Sequence, residues 1–479
     1  MAIKKDEYDS DAVNDVINLL TRDQRGDKTE NGLTSFTNSE AADHIDRANT
    51  SWNGSDLGHH ATVTYAFPDD WSFFAQNGGG DTFLRGFDEH QQDEARLSLQ
   101  SWADVADITF EEVSPDDKSA DITFGSYVGI GAASAAYAFL PIGHGQVEQL
   151  DYSGRDVQGQ VWTNVESSQA YNSDPELWGY GRQTLTHEIG HALGLSHPGD
   201  YNAGEGSPSY ADADYAEDSR QYSLMSYWSE QETGGDNQGS YAAAPLLDDI
   251  SAIQKLYGAN NDIRTGDTVY GFNSNAERDF YEADSSNDPL IFSVWDAGGE
   301  NTFDFSGYDQ DQKINLNQLS FSDVGGMTGN ISIADGTVIQ DAVSGSGNDV
   351  IIGNDSDNKI DGGAGDDVIY GGKGADVLTG GSGSDTFVYL DADESTSQAE
   401  DTITDFQSGE DTIDLSALSK LYGDIHFVDA FDHNAGEATL NYDAQSGHSE
   451  LALDSSGQAT PDFLIDIVGQ VDTQDVLVA

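Results

Sequence analysis

The sequence predicts an α+β chain in two parts: a mixed helix-and-sheet unit over residues 1–258 and an all-β parallel roll over 259–479. Three observations carry this. Helical periodicity runs through the first part and stops at Gly258, after which short alternating strands take over. Beyond residues 258–262 Asp, Asn and Gly take over. From Ser344 the chain repeats every nine residues, the mark of a coil that stacks like turns on one another. A length of 479 residues has room for both parts.

The elements of the first part can be read in order. Ser10 is a natural N-cap, and Val13, Val16, Ile17 and Leu20 share a face, predicting a helix over 10–22. A second helix is expected over about 39–48. Val63, Tyr65 and Phe67 alternate as in a strand over 61–67. A long helix over 88–105 places Ala95, Leu99, Trp102 and Val105 on one side, and strands follow at about 108–113 and 121–124. Residues 129–160 are Gly- and Ala-rich around one apolar stretch, Ala135 to Leu140. A helix is expected over 183–193 and a long loop over 199–244. The last helix, 246–257, buries Leu246, Ile250, Ile253 and Tyr257 and ends with Gly258 at C′.

Composition narrows the function classes. With 19 Lys and Arg against 87 Asp and Glu, the formal net charge is −68, so nucleic acid and anionic membranes are not expected partners and cations are. Absence of Cys excludes disulfides and thiolate metal sites. No apolar run is long enough to span a bilayer. No h-region follows the N-terminal Met-Ala-Ile-Lys-Lys, so no Sec-type signal is expected.

The repeat units are SGSGNDVII, GNDSDNKID, GGAGDDVIY, GGKGADVLT and GGSGSDTFV over 344–388. Position six carries Asp349, Asn358, Asp367, Asp376 and Asp385. Position eight is always apolar: Ile351, Ile360, Ile369, Leu378 and Phe387. The pattern is identified as the calcium-binding RTX repeat. Glycines permit the tight turns whose carbonyls can face an ion, and the acid supplies the hard oxygen that Ca²⁺ prefers. Because crowded carboxylates repel one another, folding of the roll is expected to require calcium. The second unit lacks three glycines and has Asn358 for Asp, so its site is expected to be weak or missing.

The second constellation is His187-Glu188-Ile189-Gly190-His191, followed by Gly194 and His197. Histidines four apart project from one face of a helix. Gly194 can turn the chain back so that His197 completes a three-imidazole zinc site with a fourth corner left for water. Glu188, beside the first ligand, is placed to take that water's proton. His-Glu-x-x-His alone is a weak signal; the full string with a later methionine turn, here Ser223 to Trp228 around Met225, is that of the metzincin zinc proteases. His59, His60, His90 and His144 lack ligand spacing and read as surface residues.

These motifs, together with HEIGHALGLSHPGDYNAG at 187–204, SLMSYW at 223–228, APLLDDISAIQKLYGA at 244–259, DTVYGFNS at 267–274, VWDAGG at 294–299 and DFSG at 304–307, resemble the serralysin family of secreted RTX metalloproteases over nearly the whole chain. The resemblance implies a metzincin-like catalytic domain followed by the β-roll. It implies Zn²⁺ on His187, His191 and His197, Glu188 as general base, Tyr227 as a switchable ligand that stabilises the oxyanion, and Met225 as a floor beneath the zinc. It implies substrate binding along the edge strand at Ala136, Tyr137 and Ala138.

Calcium is implied at Arg264, Gly266, Asp267, Thr268, Asp296, Gly298 and Gly299. In the repeats and beyond it is implied at Gly345, Gly347, Asp349, Gly362, Gly363, Gly365, Asp367, Gly372, Gly374, Asp376, Gly381, Gly383, Asp385 and Asp401. Asn301, Val338, Gln340 and Glu394 depart from the family pattern at peripheral calcium sites. Asp475 followed by Val476, Leu477, Val478 and Ala479 resembles an uncleaved type I secretion signal.

The expected protein is thus a secreted, monomeric zinc endopeptidase of broad specificity for protein and peptide substrates, with several structural Ca²⁺ ions. Its further partners would be the type I secretion machinery and a small proteinaceous inhibitor. The competing expectation is a non-catalytic calcium-binding RTX protein of structural or adhesive kind, which a broken zinc motif would favour.

Overall fold

The computed structural model describes residues 8–54, 56–69, 82–129, 134–141, 157–202 and 208–478. His144, most of 142–160 and Ala479 lie outside the described residues.

Helix α1 (Asp11–Arg22) starts where Ser10 Oγ accepts the Val13 N–H at 3.3 Å. Its buried face is Val13, Val16, Ile17 and Leu19, with Leu20 only half-buried. That face packs on the roll rather than on the neighbouring helices, against Ile352, Val388, Leu390 and Ala417. Helix α2 (Asn38–Ile45) is shorter than the predicted 39–48. A capping box of Thr37 and Glu40 sets its start, and its chain turns out of the helix at Asp46. Helix α3 (Glu89–Val105) begins with a second capping box, Asp88 and Gln91.

The sheet of this part contains β1 (Ala61–Ala66), β2 (Thr82–Arg85), β3 (Ile108–Glu112), β4 (Ile122–Val128), β5 (Ala136–Ala138) and β6 (Gln160–Asn164). The order is β3-β1-β4-β6-β5, with β2 antiparallel on β4. The first four strands in that order run parallel, and β5 runs antiparallel to β6 at one edge. Strand β4 continues four residues past the predicted end because Ser126 and Tyr127 are also covered. Helix α4 (Tyr180–Ala192) starts a turn earlier than predicted, and α5 (Leu247–Tyr257) follows the long loop. Trp102 joins α3 to α4: its ring is fully buried and its Nε1–H donates to the Thr186 carbonyl at 3.1 Å.

From residue 269 the chain coils through two sheets whose repeat strands run parallel, one of them extended by antiparallel strands near the C-terminus. One holds the strands at 313–315, 350–352, 368–370, 386–388, 412–414 and 476–477. The other runs 269–271, 302–304, 341–343, 359–361, 377–379 and 401–403, then adds 463–468, 448–454, 437–443 and 426–427. Successive repeat units alternate between sheets, so Ile351 pairs with Ile369 and Ile360 with Leu378. All five eighth-position side chains are at most 1% exposed. Burying each apolar side chain contributes about 1.5–3 kcal/mol, which no unit obtains alone.

Buried ion pairs join the two parts. Asp104 of α3 accepts from Arg264 at 3.0 Å and Arg278 at 2.7 Å. Arg22, at the end of α1 and partly exposed, reaches Asp323 on the roll side, while Arg25 pairs with Asp248 of α5 inside the first part.

Candidate metal centre and cleft

His187 and His191 project from the same side of α4 because they are one helical turn apart. Gly194, at φ +115°, reverses the chain after the helix, and a Cβ there would lie 2.0 Å from the Thr50 carbonyl oxygen. The reversal brings His197 back. The three rings then meet with centroids 4.6, 4.7 and 5.3 Å apart, and one nitrogen from each lies within 4.8 Å of the others. Gly190, between the two helical histidines, makes room for Met225 and Trp102; a Cβ there would lie 2.7 Å from the Met225 sulfur. Met225 is fully buried against this helix.

Each imidazole is oriented by a backbone carbonyl. Nδ1 of His187 lies 2.7 Å from the Leu224 oxygen, that of His191 2.7 Å from Leu195, and that of His197 2.8 Å from Tyr201. A carbonyl only accepts, so all three Nδ1 atoms carry the proton and all three Nε2 atoms offer lone pairs. Nε2 of His191 and of His197 stand 3.0 Å apart. Two lone pairs at that distance repel unless a cation lies between them. Burial, then mutual repulsion, lowers the pKa of His197 to about 3; burial lowers that of His187 to about 4 and that of His191 well below the ordinary value. The cluster is therefore neutral at pH 7, and neutral imidazole is the form that binds zinc.

Glu188 stands beside the triad, 5% exposed, with Oε2 lacking any partner. Burial pushes its carboxyl up to about 8. The Tyr227 ring lies 4.4 Å from that of His197 and 6.2 Å from that of His187. Two cavities flank this centre. The larger, about 360 Å³, extends past His187 and Glu188 toward Tyr180 and Arg220. The smaller, about 270 Å³, extends past His191 and His197 and is lined by Ala136, Tyr137 and Ala138. Strand β5 thus borders the cleft at the end of the sheet order. His59, His60 and His90 are exposed and away from the cluster.

Two buried acids behind the site were not foreseen. Asp249 accepts from Ser223 Oγ at 2.6 Å, Leu224 N–H at 2.7 Å and Leu246 N–H at 2.9 Å. Asp218 accepts from the Ser226 hydroxyl at 2.6 Å, the Tyr201 hydroxyl at 2.9 Å and Trp228 Nε1 at 3.2 Å. It thereby ties the residues on either side of Tyr227 to the loop that orients His197. In sequence, Asp249 resembles an ordinary first-turn acid of α5, and Asp218 is one acid in a polar loop.

In the roll the sixth-position acids form ladders. Oδ1 of Asp367 accepts the Asp349 N–H at 2.8 Å, Asp385 accepts that of Asp367 at 3.0 Å, and Asp401 that of Asp376 at 2.9 Å. Oδ2 of Asp367, Asp376, Asp385 and Asp401 is buried without a partner. Burial raises these carboxyls to about 8, 7, 6 and 8 in that order. Unpartnered buried carboxylate oxygens beside turns in which Gly363, Gly365, Gly372, Gly374, Gly381 and Gly383 take positive φ fit hard divalent cations. Gly345, Gly347 and Gly362 take ordinary φ.

Asp349 differs from its neighbours, since Ser344 Oγ donates to its Oδ2. Asn358 is saturated by protein: its amide donates to the Gln340 carbonyl at 2.7 Å and its oxygen accepts the Asn354 N–H at 2.8 Å. At the earlier candidate site, Asp296 accepts from Gly298 N–H and the Tyr270 hydroxyl, and Asp267 from Glu300 N–H. Gln340 donates to the Gly299 carbonyl at 3.2 Å, and the Asn301 oxygen accepts the Thr268 N–H at 3.1 Å. The Arg264 backbone is left-handed, at φ 44°, and the Thr268 hydroxyl donates to the Gly266 carbonyl at 3.0 Å. Asn301 and Gln340 thus engage this candidate site through neutral amides.

Residues 86–204 match the Matrixin family model, and residues 259–478 match the model for the peptidase M10 serralysin C terminal. Serralysin C of Dickeya chrysanthemi is 52% identical over 96% of this chain and 94% of its own. Metalloprotease AprA of Pseudomonas entomophila is 51% identical over 95% and 93%. Serralysin of Proteus mirabilis is 51% identical over 92% of each. Among solved structures, the AlgE6R2 subunit of an Azotobacter vinelandii mannuronan C5-epimerase aligns over 38% of this chain and 92% of that chain. Its identity of 20% and TM-score of 0.21 carry no structural argument.

Proposed function

The chain belongs to the serralysin family, and from that premise we propose how its residues divide the work of a zinc metalloendopeptidase. The enzyme class and its zinc and calcium dependence follow from the family. The assignment of roles is supported above all by three Nδ1-anchored imidazoles whose free Nε2 atoms converge beside an unpartnered carboxylate.

His187, His191 and His197 hold the zinc. When bound, the ion polarises the scissile carbonyl and makes water nucleophilic near neutral pH. Glu188 takes the proton of the attacking water and returns it to the leaving amine. Its carboxylate lines both cavities that flank the triad, so the proton is held close to the reacting atoms between the two steps. Tyr227 donates its hydroxyl to the developing oxyanion, while Asp218 holds the residues on both sides of it. An extended peptide lies along β5 by main-chain pairing, which reads shape more than sequence and suits broad specificity.

The repeat acids with unpartnered oxygens, Asp367, Asp376, Asp385 and Asp401, bind the calcium that completes the roll. The enzyme acts outside the cell, exported by a type I machinery that reads the C-terminal segment, and a small protein inhibitor could occupy the same cleft. Among the described residues no helix is long and apolar enough to cross a membrane. A purely structural or adhesive role is disfavoured, since it gives no reason for an intact imidazole cluster with an acid beside it.

Glu188→Gln tests the division of labour. The variant is expected to retain one zinc per chain by metal analysis and to lose almost all casein hydrolysis. Normal turnover by zinc-loaded Glu188→Gln would remove the general base from the scheme.

A further inference from the structure

The larger cavity beside the triad is lined by an arginine that makes no ion pair among the described residues. Most arginines of this strongly acidic chain meet a carboxylate: Arg22, Arg25, Arg96, Arg182, Arg264 and Arg278 all do. Arg220 does not, among the described residues. Its backbone N–H donates to the Trp228 carbonyl at 2.9 Å, its NH1 donates to the Tyr227 carbonyl at 3.2 Å, and its guanidinium sits 5.7 Å from the Tyr241 ring centre. Its Nε is buried with no acceptor. The group is fixed from behind and lines the same cavity as Gln183, Thr184, His187 and Glu188.

The two ends of the cleft therefore differ. At the smaller cavity Arg47 donates to the carbonyls of His44, His197 and Gly199, so its charge is already engaged by main chain. At the larger cavity the guanidinium keeps unused donor capacity, and apart from His187 and Glu188 at the triad the polar side chains at hand are amides, hydroxyls and the Trp228 indole. A half-buried guanidinium held rigid in a cleft recognises a carboxylate through charge-assisted hydrogen bonds.

We propose that Arg220 makes the His187 side of the cleft a subsite for a substrate residue bearing a carboxylate, aspartate or glutamate, beside the bond that is cut. The inference rests on the peptidase reading and adds a preference to its broad specificity. An acidic residue there is drawn to Arg220, a basic one is repelled by it, and the opposite side of the bond shows no such bias.

The test uses the calcium- and zinc-loaded full chain and quenched-fluorescence peptides blocked at both ends. The peptides vary one position at a time among Glu, Gln, Leu and Lys, and the cut is located by mass spectrometry. Wild type is expected to favour Glu over Lys by about tenfold in kcat/KM at one position on one side of the bond. Arg220→Ala should bring that ratio near one, mainly through KM of the Glu peptide. Arg220→Glu should invert it, and Arg220→Lys should keep part of it. Zinc content and near-ultraviolet circular dichroism report whether each variant is folded. If every variant unfolds, the wild-type ratio and its decline with added salt decide the matter.

An unchanged ratio in folded Arg220→Ala overturns the proposal. So does a wild type that cuts the neutral peptides yet ignores charge at every flanking position. A preference seen only when the peptide's C-terminus is free would assign the cation to chain ends instead and overturn the side-chain form. Failure to cut any peptide would overturn the peptidase reading itself.

Discussion

Asp249 and His187 are joined through the backbone of a single residue: Leu224 gives its N–H to the Asp249 carboxylate at 2.7 Å, and its carbonyl takes the Nδ1–H of His187 at 2.7 Å. The acid on α5 thus sets where the first imidazole of the triad sits and which tautomer it keeps. Asp249→Ala would leave the Leu224 and Leu246 N–H groups and the Ser223 hydroxyl without their acceptor in a fully buried place. Zinc affinity is expected to fall about 10–100-fold, and stability by about 2 kcal/mol. Chelator competition and urea unfolding measure the two. Unchanged zinc affinity would show that the connection is structural only.

The two parts of the chain should respond to pH with opposite sign when metals are removed. Burial raises the folded-state pKa of Asp367 and Asp401 to about 8 and of Asp376 to about 7, above the ordinary 3.8. A raised carboxylate holds its proton more tightly folded than unfolded, so its contribution is full below about pH 4 and is lost as pH rises through 7 to 8. The histidines run the other way. His187 and His197 are lowered to about 4 and 3, so their folded form loses stability as pH falls from about 6.5 toward those values. In chelator, hydrogen-exchange protection factors, in which the intrinsic pH dependence of exchange is divided out, are expected to rise at residues 344–415 between pH 8 and pH 5 and to fall around 180–200. Calcium should abolish the first trend. The same direction in both segments would contradict this account.

Asn358 explains why one repeat should bind no ion, and the explanation can be reversed. Its amide already satisfies the Gln340 carbonyl and the Asn354 N–H. Asn358→Asp removes the donor and puts a carboxylate against the Gln340 carbonyl oxygen. The calcium-free roll is expected to lose about 1–3 kcal/mol and to need more calcium to fold. Isothermal titration should then find extra bound calcium. A variant that folds without calcium as readily as wild type would refute the repulsion argument.

Legibility followed the kind of force at each position. The imidazole triad could be read because ligand spacing is a local property of a helix and one turn, and Gly194 announces the turn. The roll could be read because each unit repeats the same burial, visible at Ile351, Ile360 and Ile369. Strand β6 could not: Gln160, Thr163 and Asn164 are buried alongside Val161 and Trp162, so no alternation marks it. The amphipathic face of α1 was evident, but its partner, Ile352 and Val388 more than 300 residues away, was not. Asp218, Arg220 and Asp249 acquire their roles only when the aperiodic segment 199–244 closes around the triad. Nothing in their immediate sequence distinguishes them from solvated charges.

Asp104 offers the sharpest test of how far the two parts depend on each other. Its carboxylate, with a side chain 4% exposed, accepts two contacts from Arg278 at 2.7 and 2.8 Å and one from Arg264 at 3.0 Å. One acid of α3 thus neutralises two arginines contributed from beyond residue 258. Asp104→Ala would leave both guanidinium groups, 6% and 12% exposed, without their counter-charge. Breaking such a buried network from one side costs about 3–5 kcal/mol, whereas an exposed pair such as Lys373 with Asp393 is screened by solvent and contributes little. In the calcium-loaded enzyme, denaturant unfolding of Asp104→Ala is expected to split into two transitions, with the 8–257 region released first. Fluorescence of its tryptophans reports that step, and circular dichroism of the roll reports the other. Lys373→Ala should leave the curve unchanged. A single transition at the wild-type midpoint in Asp104→Ala would mean that the cores, rather than this ion triad, join the two parts.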